Sequence, residues 1–196
     1  MKNRIFILSD THLGHSKMPL YCGRPENHSE LILLGLRKNL RDSDILIHLG
    51  DICIGNDEAW HYDLVGYLPK VKRFLVRGNH DRKSDTWYLN HGWDFVAERF
   101  DNTYFGKKIV FSHQPVKDDD YDLNIHGHFH NNLHRLLKGE YVVEGEKERN
   151  MIPLSLLTKK HKLFAMENTN YQPVLLDTFI KNCYNITYEK NTNGRP

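Results

Sequence analysis

Short apolar runs recur along the first two thirds of the chain, and each stops at residues of metal-binding type. Arg4-Ile5-Phe6-Ile7-Leu8-Ser9 ends at Asp10-Thr11-His12, and Ile45-Leu46-Ile47-His48-Leu49 ends at Gly50-Asp51. Val71 to Val76 ends at Gly78-Asn79-His80-Asp81, on a turn that Gly78 permits. Runs of this length, bounded by turn residues, predict short buried strands. Between them, Ser29 to Asp42 carries Leu31, Leu34, Leu36 and Leu40 at helical spacing. Asp57 to Leu68 predicts a second helix, stopped by Pro69. Strand and helix alternate twice, the pattern of a parallel sheet with helical crossovers.

Beyond Trp87 the pattern shortens. Trp93 to Val96, Thr103 to Phe105 and Lys108 to Phe111 predict short strands, the last two joined by a Gly106-Lys107 hairpin turn. The third ends at Ser112-His113-Gln114-Pro115, and Leu123 to His126 runs into Gly127-His128-Phe129-His130. Asp118-Asp119-Asp120 reads as a solvated loop. Lys138 to Lys162 mixes both signs of charge without a period and reads as an insertion: a long loop, a hairpin or a small lid. Leu163 to Glu167 predicts a further strand, Leu175 to Cys183 a short helix and Ile186 to Tyr188 a last strand. Asn191 to Pro196 is expected to fray. No repeat or long linker divides residues 1–196, so one domain carrying the 138–162 insertion is expected.

Composition narrows the class. A chain of 196 residues, 39% hydrophobic and 27% charged, is long enough to bury a core and fits a soluble globular domain. The net charge of +2 steers it to neither nucleic acid nor membrane. Cys22, Cys53 and Cys183 form no CxxC pair, which argues against a zinc knot or a disulfide framework and points to a reducing compartment. The run Ile5 to Leu8 is too short for a signal sequence or a span, so a cytoplasmic setting is expected, the host cytoplasm for a viral chain. Thirteen histidines are many for this length, and where they fall matters more than their number.

Five strand ends carry Asp10 and His12, Asp51, Asn79 and His80, His113, and His128 and His130. In open α/β sheets ligands gather outside the carboxyl ends of the strands, so these loops should meet in one crevice. Carboxylates, an amide oxygen and imidazoles without a thiolate suit Mn²⁺, Fe, Co, Ni or Zn. Singly, each has an ordinary reading: a turn-capping Asp10, a buried His113, a surface pair at His128 and His130. Positions two apart in extended chain share a face, so paired ligation is geometrically open to the last two. Chance placement of all five at strand ends is the weaker explanation.

The ordered set Asp10-x-His12, Gly50-Asp51, Gly78-Asn79-His80-Asp81, His113 and Gly127-His128-x-His130 resembles the calcineurin-like metallophosphoesterases, in particular their small bacterial and phage-type members. The likeness runs from Ile5 to His130 and again from Leu163 to Leu176. It implies an α/β fold, a four-layer α/β/β/α sandwich of two mixed sheets, with a dinuclear metal site at the strand carboxyl ends. It further implies that Asp10, His12, Asp51 and His130 hold one divalent ion. Asp51 would bridge to a second, completed by Asn79, His113 and His128, with His80 the non-ligand acid beside the scissile phosphate. The chain departs from many relatives in having Ile52-Cys53-Ile54 after Gly50-Asp51, where a second Asp is common, and in its insertion.

The chemistry expected is metal-dependent phosphoester hydrolysis. Two divalent ions, two carboxylates and a bridging hydroxide leave a core of low positive charge, attractive to phosphate yet still nucleophilic. Ions about 3.5–4 Å apart can clamp both the entering and the leaving oxygen of an in-line displacement and bring a bound water's pKa toward about 7. His80 can then supply the leaving group's proton. Asp81 either orients that imidazole or caps the next helix. Arg24, through its bidentate fork, and His15 are candidate phosphate contacts, against an equal reading as a solvated arginine and a structural histidine. Mn²⁺ is the expected ion, with Fe, Ni, Co or Zn as alternatives. The resemblance favours a small or nucleotide-derived phosphodiester as substrate, then a phosphomonoester. A non-catalytic binding scaffold of the same fold is disfavoured because every ligand position and His80 are filled. A nucleic-acid partner ranks lower for want of a basic groove.

Overall fold

Strands β1 (Ile5–Leu8), β2 (Ile45–His48), β3 (Lys72–Val76) and β4 (Phe95–Ala97) lie side by side in chain order, all parallel. The computed structural model describes residues 3–68, 70–117, 120–132, 136–137 and 152–183. Helices α1 (Met18–Cys22) and α2 (His28–Asn39) lie between β1 and β2, α3 (Asp57–Tyr67) between β2 and β3, and α4 (Asp85–Asn90) between β3 and β4. Each strand is added on the same side of the one before it. Right-handed crossovers therefore collect the helices on one face of the sheet and leave the other free. On the covered face α2 and α3 bury Ile32, Leu33, Leu36 and Leu64.

The free face is covered by a second sheet. The chain leaves β4 at Ala97 and enters β5 (Arg99–Tyr104) after the single residue Glu98. Strands β6 (Lys107–Ser112), β7 (Leu123–His126) and β10 (His161–Leu163) complete it, in the order β10-β7-β6-β5, with only the β5–β6 hairpin antiparallel. Phe6, Ile7, Leu46 and Leu75 of the first sheet share one core with Ile109, Phe111, Leu123 and Ile125 of the second. Each such side chain contributes about 1.5–3 kcal/mol on burial. The rings of Phe74 and Phe95 lie 6.2 and 5.4 Å from Phe100, which stacks on Phe111 at 4.9 Å. The sheets are thus joined at the β4–β5 corner as well as through the core. The chain is a mixed α/β protein of two mixed sheets, as the sequence pattern and the resemblance led us to expect.

Several elements differ from the expected ones. The run 163–167 does not form a strand: pairing with β7 covers only His161–Leu163, and the chain then turns into a 3-10 helix, Met166–Thr169, closed by the left-handed Asn170. Phe164, Ala165 and Met166 are buried, and a short buried apolar run does not distinguish a strand from a turn of helix. α1 is not among the expected elements; Pro19 opens it and left-handed Gly23 closes it. The two-residue strand β11 (Val174–Leu175), antiparallel to β1, precedes a helix over 176–183. Just before the insertion, β8 (Leu136–Leu137) pairs in parallel with β9 (Ile152–Pro153) inside it, and Ile152 packs on Phe129 beside the His128–His130 loop. Residues 138–151, the expected strand Ile186 to Tyr188 and the tail 191–196 lie outside the described residues. No helix among the described residues is long and apolar enough to cross a membrane.

Two strand-end histidines are held neutral by the fold. His48 and His126 are buried, and burial pushes each down to about 3. His48 Nδ1 accepts the Gly50 N–H at 3.0 Å, so Nε2–H donates to Thr11 Oγ1 at 2.9 Å. With folded pKa values below the unfolded value of about 6.5, the unfolded chain binds more protons between those limits. The stability these groups provide is complete above pH 6.5 and is lost as the pH falls toward 3. Urea unfolding should therefore show stability falling with acid by up to about 1.4 kcal/mol per pH unit for each histidine. A flat profile from pH 6.5 to 4.5 would contradict this.

Candidate metal centre

The parallel strands of both sheets end at the same edge, and their loops form the site. β1 delivers Asp10 and His12, β2 Asp51, β3 Asn79 and His80, β6 His113, and β7 His128 and His130. The first two loops zip together past the strand ends: Asp10 N–H donates to Gly50 O, His12 N–H to Asp51 O and Leu13 N–H to Ile52 O, at 2.9, 3.0 and 2.9 Å. Five of these residues adopt the left-handed region that non-glycine residues seldom occupy: Asp10 (φ 51°), His12 (43°), Asp51 (58°), His128 (75°) and His130 (53°). Such strain persists only where the surroundings enforce it, and here it turns the side chains inward from three loops.

Two glycines permit the approach. A Cβ on Gly78 would overlap Asp51 Oδ1 and come within 2.6 Å of Asp51 N. One on Gly127 would overlap Ser9 Oγ and Asp10 Oδ2. Gly127→Ala should thus displace Asp10, weakening divalent-metal binding more than ten-fold and turnover about 100-fold, the order of loss a 1 Å misplacement brings. Titration calorimetry of the folded variant checks it, and wild-type affinity would refute it.

Asp51 occupies the middle of the site. Its Oδ2 lies 3.3 Å from His113 Nε2, 3.6 Å from His12 Nε2 and 3.9 Å from His80 Nε2. On one side, Asp10 Oδ1 lies 4.0 Å from His12 Nε2 and 3.9 Å from His130 Nε2. On the other, His113 Nε2 lies 3.1 Å from Asn79 Oδ1 and 3.2 Å from His128 Nδ1. Ligand atoms of Asp10, His12 and His130 fall within 4.8 Å of one another, as do those of Asp10, Asp51 and His113.

The donor set fits divalent ions. Both ring nitrogens of His12 are buried without a hydrogen-bond partner among the described residues. Buried polar atoms are nearly always satisfied, and burial pushes the His12 pKa well down, leaving a neutral ring with a lone pair to offer. Elsewhere protons do part of a cation's work. Burial alone would strip charge from His113 and His130, but the Asp51 and Asp10 carboxylates raise His113 to about 9, and Asp10 with Glu167 and Cys22 raises His130 to about 10. Burial opposes the charge of Asp51 too, yet His113 holds it well below the usual carboxylate range.

The supporting residues depart from expectation. Arg24, anticipated as a phosphate contact, is turned inward with its side chain fully buried. Nη1 donates to Thr11 O at 3.0 Å, Nη2 to Asp10 O at 2.7 Å and Nε to Glu167 Oε1 at 2.8 Å, so the fork is engaged inside the protein and is not presented to a phosphate. Asp81 neither orients an imidazole nor caps α4, which Ser84 caps instead. Its carboxylate accepts the N–H groups of Gly78, Asp51 and Ile52 at 2.8, 2.7 and 3.0 Å, tying the β2 and β3 exits together. Burial and the nearby Asp51 charge raise it to about 6 against those three donors. His15 stays at the site, its ring 5.6 Å from that of His12 and 6.0 Å from that of Tyr21. Glu167 and Ser9, whose Oγ donates to Asp10 Oδ2 at 2.5 Å, were not anticipated. The sign that marked the other site residues also marked Glu167, the polar end of the apolar run Leu163 to Met166.

A two-sheet α/β scaffold with carboxylates and imidazoles gathered at its strand ends defines a metal-dependent phosphoesterase. The chain belongs to the calcineurin-like phosphoesterases, whose family profile matches residues 3–151. It is accordingly a metallophosphoesterase, a hydrolase of phosphoric esters, in a family that generally uses divalent metals. It is 30% identical over 187 residues to an uncharacterised protein of Methanocaldococcus jannaschii, covering 91% of this chain and 90% of that one. A solved protein of unknown function from Aquifex aeolicus shares the fold with a TM-score of 0.67 at 22% identity, over 92% of this chain and 99% of its own. Nuclease MPE of Pseudomonas putida matches at a TM-score of 0.48 and 22% identity, over 74% of this chain and 66% of its own.

Proposed function

We propose that the chain hydrolyses small phosphodiesters with two Mn²⁺ ions. What carries the diester reading is a cleft of about 570 Å³ that opens beside Asn79 and His113 and runs between Arg77, Arg99 and Gln114. Its size falls within the range of about 300–1,000 Å³ usual for small-molecule sites. A monoester needs room for one phosphoryl group and its single ester arm. A second arm, anionic or polar, would lie along this cleft. Arg77 is held there by Asp85 at 3.0 Å and Glu98 at 3.4 Å.

In this reading Asp10, His12, Asp51 and His130 hold one ion, and Asp51, Asn79, His113 and His128 the other. Ions held by these residues would supply polarisation of the phosphoryl oxygens and a lowered pKa for water. His80 is the most exposed of the imidazoles around Asp51, 26% against 4% or less for His12 and His113. It faces the entering substrate while its backbone N–H is pinned to Asp51 Oδ1 at 2.8 Å. It holds the proton for the leaving oxygen. His15 offers a further polar contact to the phosphate. With Mn²⁺ present, kcat/KM on bis-p-nitrophenyl phosphate should surpass that on p-nitrophenyl phosphate. The reverse order would replace the diester reading with a phosphomonoesterase.

A further inference from the structure

We infer that Glu167 is a positioning residue for His130: its carboxylate holds the proton on Nδ1 and so leaves Nε2 free for the metal, with Arg24 anchoring Glu167 in turn. The inference rests on the proposed ligand role of His130. His130 Nδ1 lies 3.3 Å from Glu167 Oε1 and 3.2 Å from Arg24 Nη2, and the thiol of Cys22, a weak acceptor, also reaches the ring. A guanidinium can only donate, and Nη2 is already engaged with Asp10 O and Glu167 Oε1, each at 2.7 Å. The carboxylate is therefore the partner the ring can use, and it accepts. A neutral ring protonated at Nδ1 has its lone pair on Nε2, the nitrogen that faces Asp10 Oδ1 at 3.9 Å.

His113 is held by the same logic with a different part: its Nδ1 meets the Leu49 carbonyl at 2.7 Å. There the main chain fixes the ring, and no side-chain substitution can release it. For His130 the task falls to a side chain 37 positions further along, beyond the segment 3–151 matched by the family profile. Glu167 is 4% exposed and Arg24 is fully buried, so this buried pair faces the ligand rather than the substrate. Carboxylates behind ligating histidines fix the tautomer and raise ligand basicity, and their loss lowers metal affinity about 10–100-fold. Glu167 itself touches no reacting atom.

Two measurements test this on the full chain. Equilibrium dialysis against Mn²⁺ should give two ions per wild-type chain. Glu167→Gln should bind one of them about 10–100-fold more weakly and lose the spin-coupled two-ion signal in electron paramagnetic resonance. Two ions in the wild type with unchanged affinity in Glu167→Gln would overturn the inference and leave the proposed function standing. Fewer than two in the wild type would overturn the ligand assignment itself. A third ion, lost with Glu167→Gln, would also overturn the positioning role, since Cys22, His130 and Glu167 offer ligand atoms within 4.8 Å of one another. Should Glu167→Gln fail to fold, nitrogen-15 spectra of wild-type imidazoles with diamagnetic Zn²⁺ bound decide it. His130 should carry its proton on Nδ1, and a proton on Nε2 would refute the inference.

Discussion

Asp51→Asn should lower kcat/KM by about 10³-fold and weaken binding of both ions of the proposed centre, because it removes the one charge they would share. Loss of several kcal/mol of charge stabilisation corresponds to that factor at about 1.4 kcal/mol per ten-fold. The geometry makes the effect specific. Asp51 Oδ2 lies within 3.9 Å of nitrogens on His12, His80 and His113, and an amide there presents either a neutral oxygen or hydrogens to them. The fold should survive, since asparagine keeps an oxygen for the His80 N–H and relieves the repulsion that Asp51 imposes on buried Asp81. Metal analysis, activity and thermal unfolding on one preparation separate these effects. Two ions at wild-type affinity in Asp51→Asn would remove it from the bridging position.

His80→Ala should behave differently: kcat falls about 10²–10⁴-fold, the usual contribution of a general acid, while both ions stay bound. The loss should be largest with an alkoxide leaving group and much smaller with p-nitrophenolate, which departs without a proton. A side chain that only shaped the pocket would lower both rates alike. The Asp51 contact is made by the His80 backbone and persists in the variant. Unchanged kcat on both substrates would exclude His80 from proton transfer.

How much of this was legible along the chain follows from the range of the forces involved. Strands β1 to β4 and helices α2 and α3 were readable because short apolar runs and helical spacing are local patterns. The 3-10 turn after β10 was not, because Phe164 to Met166 are buried whether extended or helical. The residues gathered at the metal centre were visible as polar ends of apolar runs, since a strand ending at a shared edge must end somewhere in sequence. Arg24 was misread for the opposite reason. An arginine in a polar loop looks solvated, and only the arrival of Glu167, 143 positions away, draws it inside.

Sequence by itself determined the order of β1 to β7 with α2 and α3 between the first of them, the family and the residue types at the strand ends, because each depends on neighbours within a few positions. Tertiary structure alone decided that Asp51 stands among His12, His80 and His113, that Asp81 braces two loops and that Arg24 and Glu167 lie behind His130. Those outcomes are set by contacts between distant segments, whose distances exist only once the two sheets have closed on their common core.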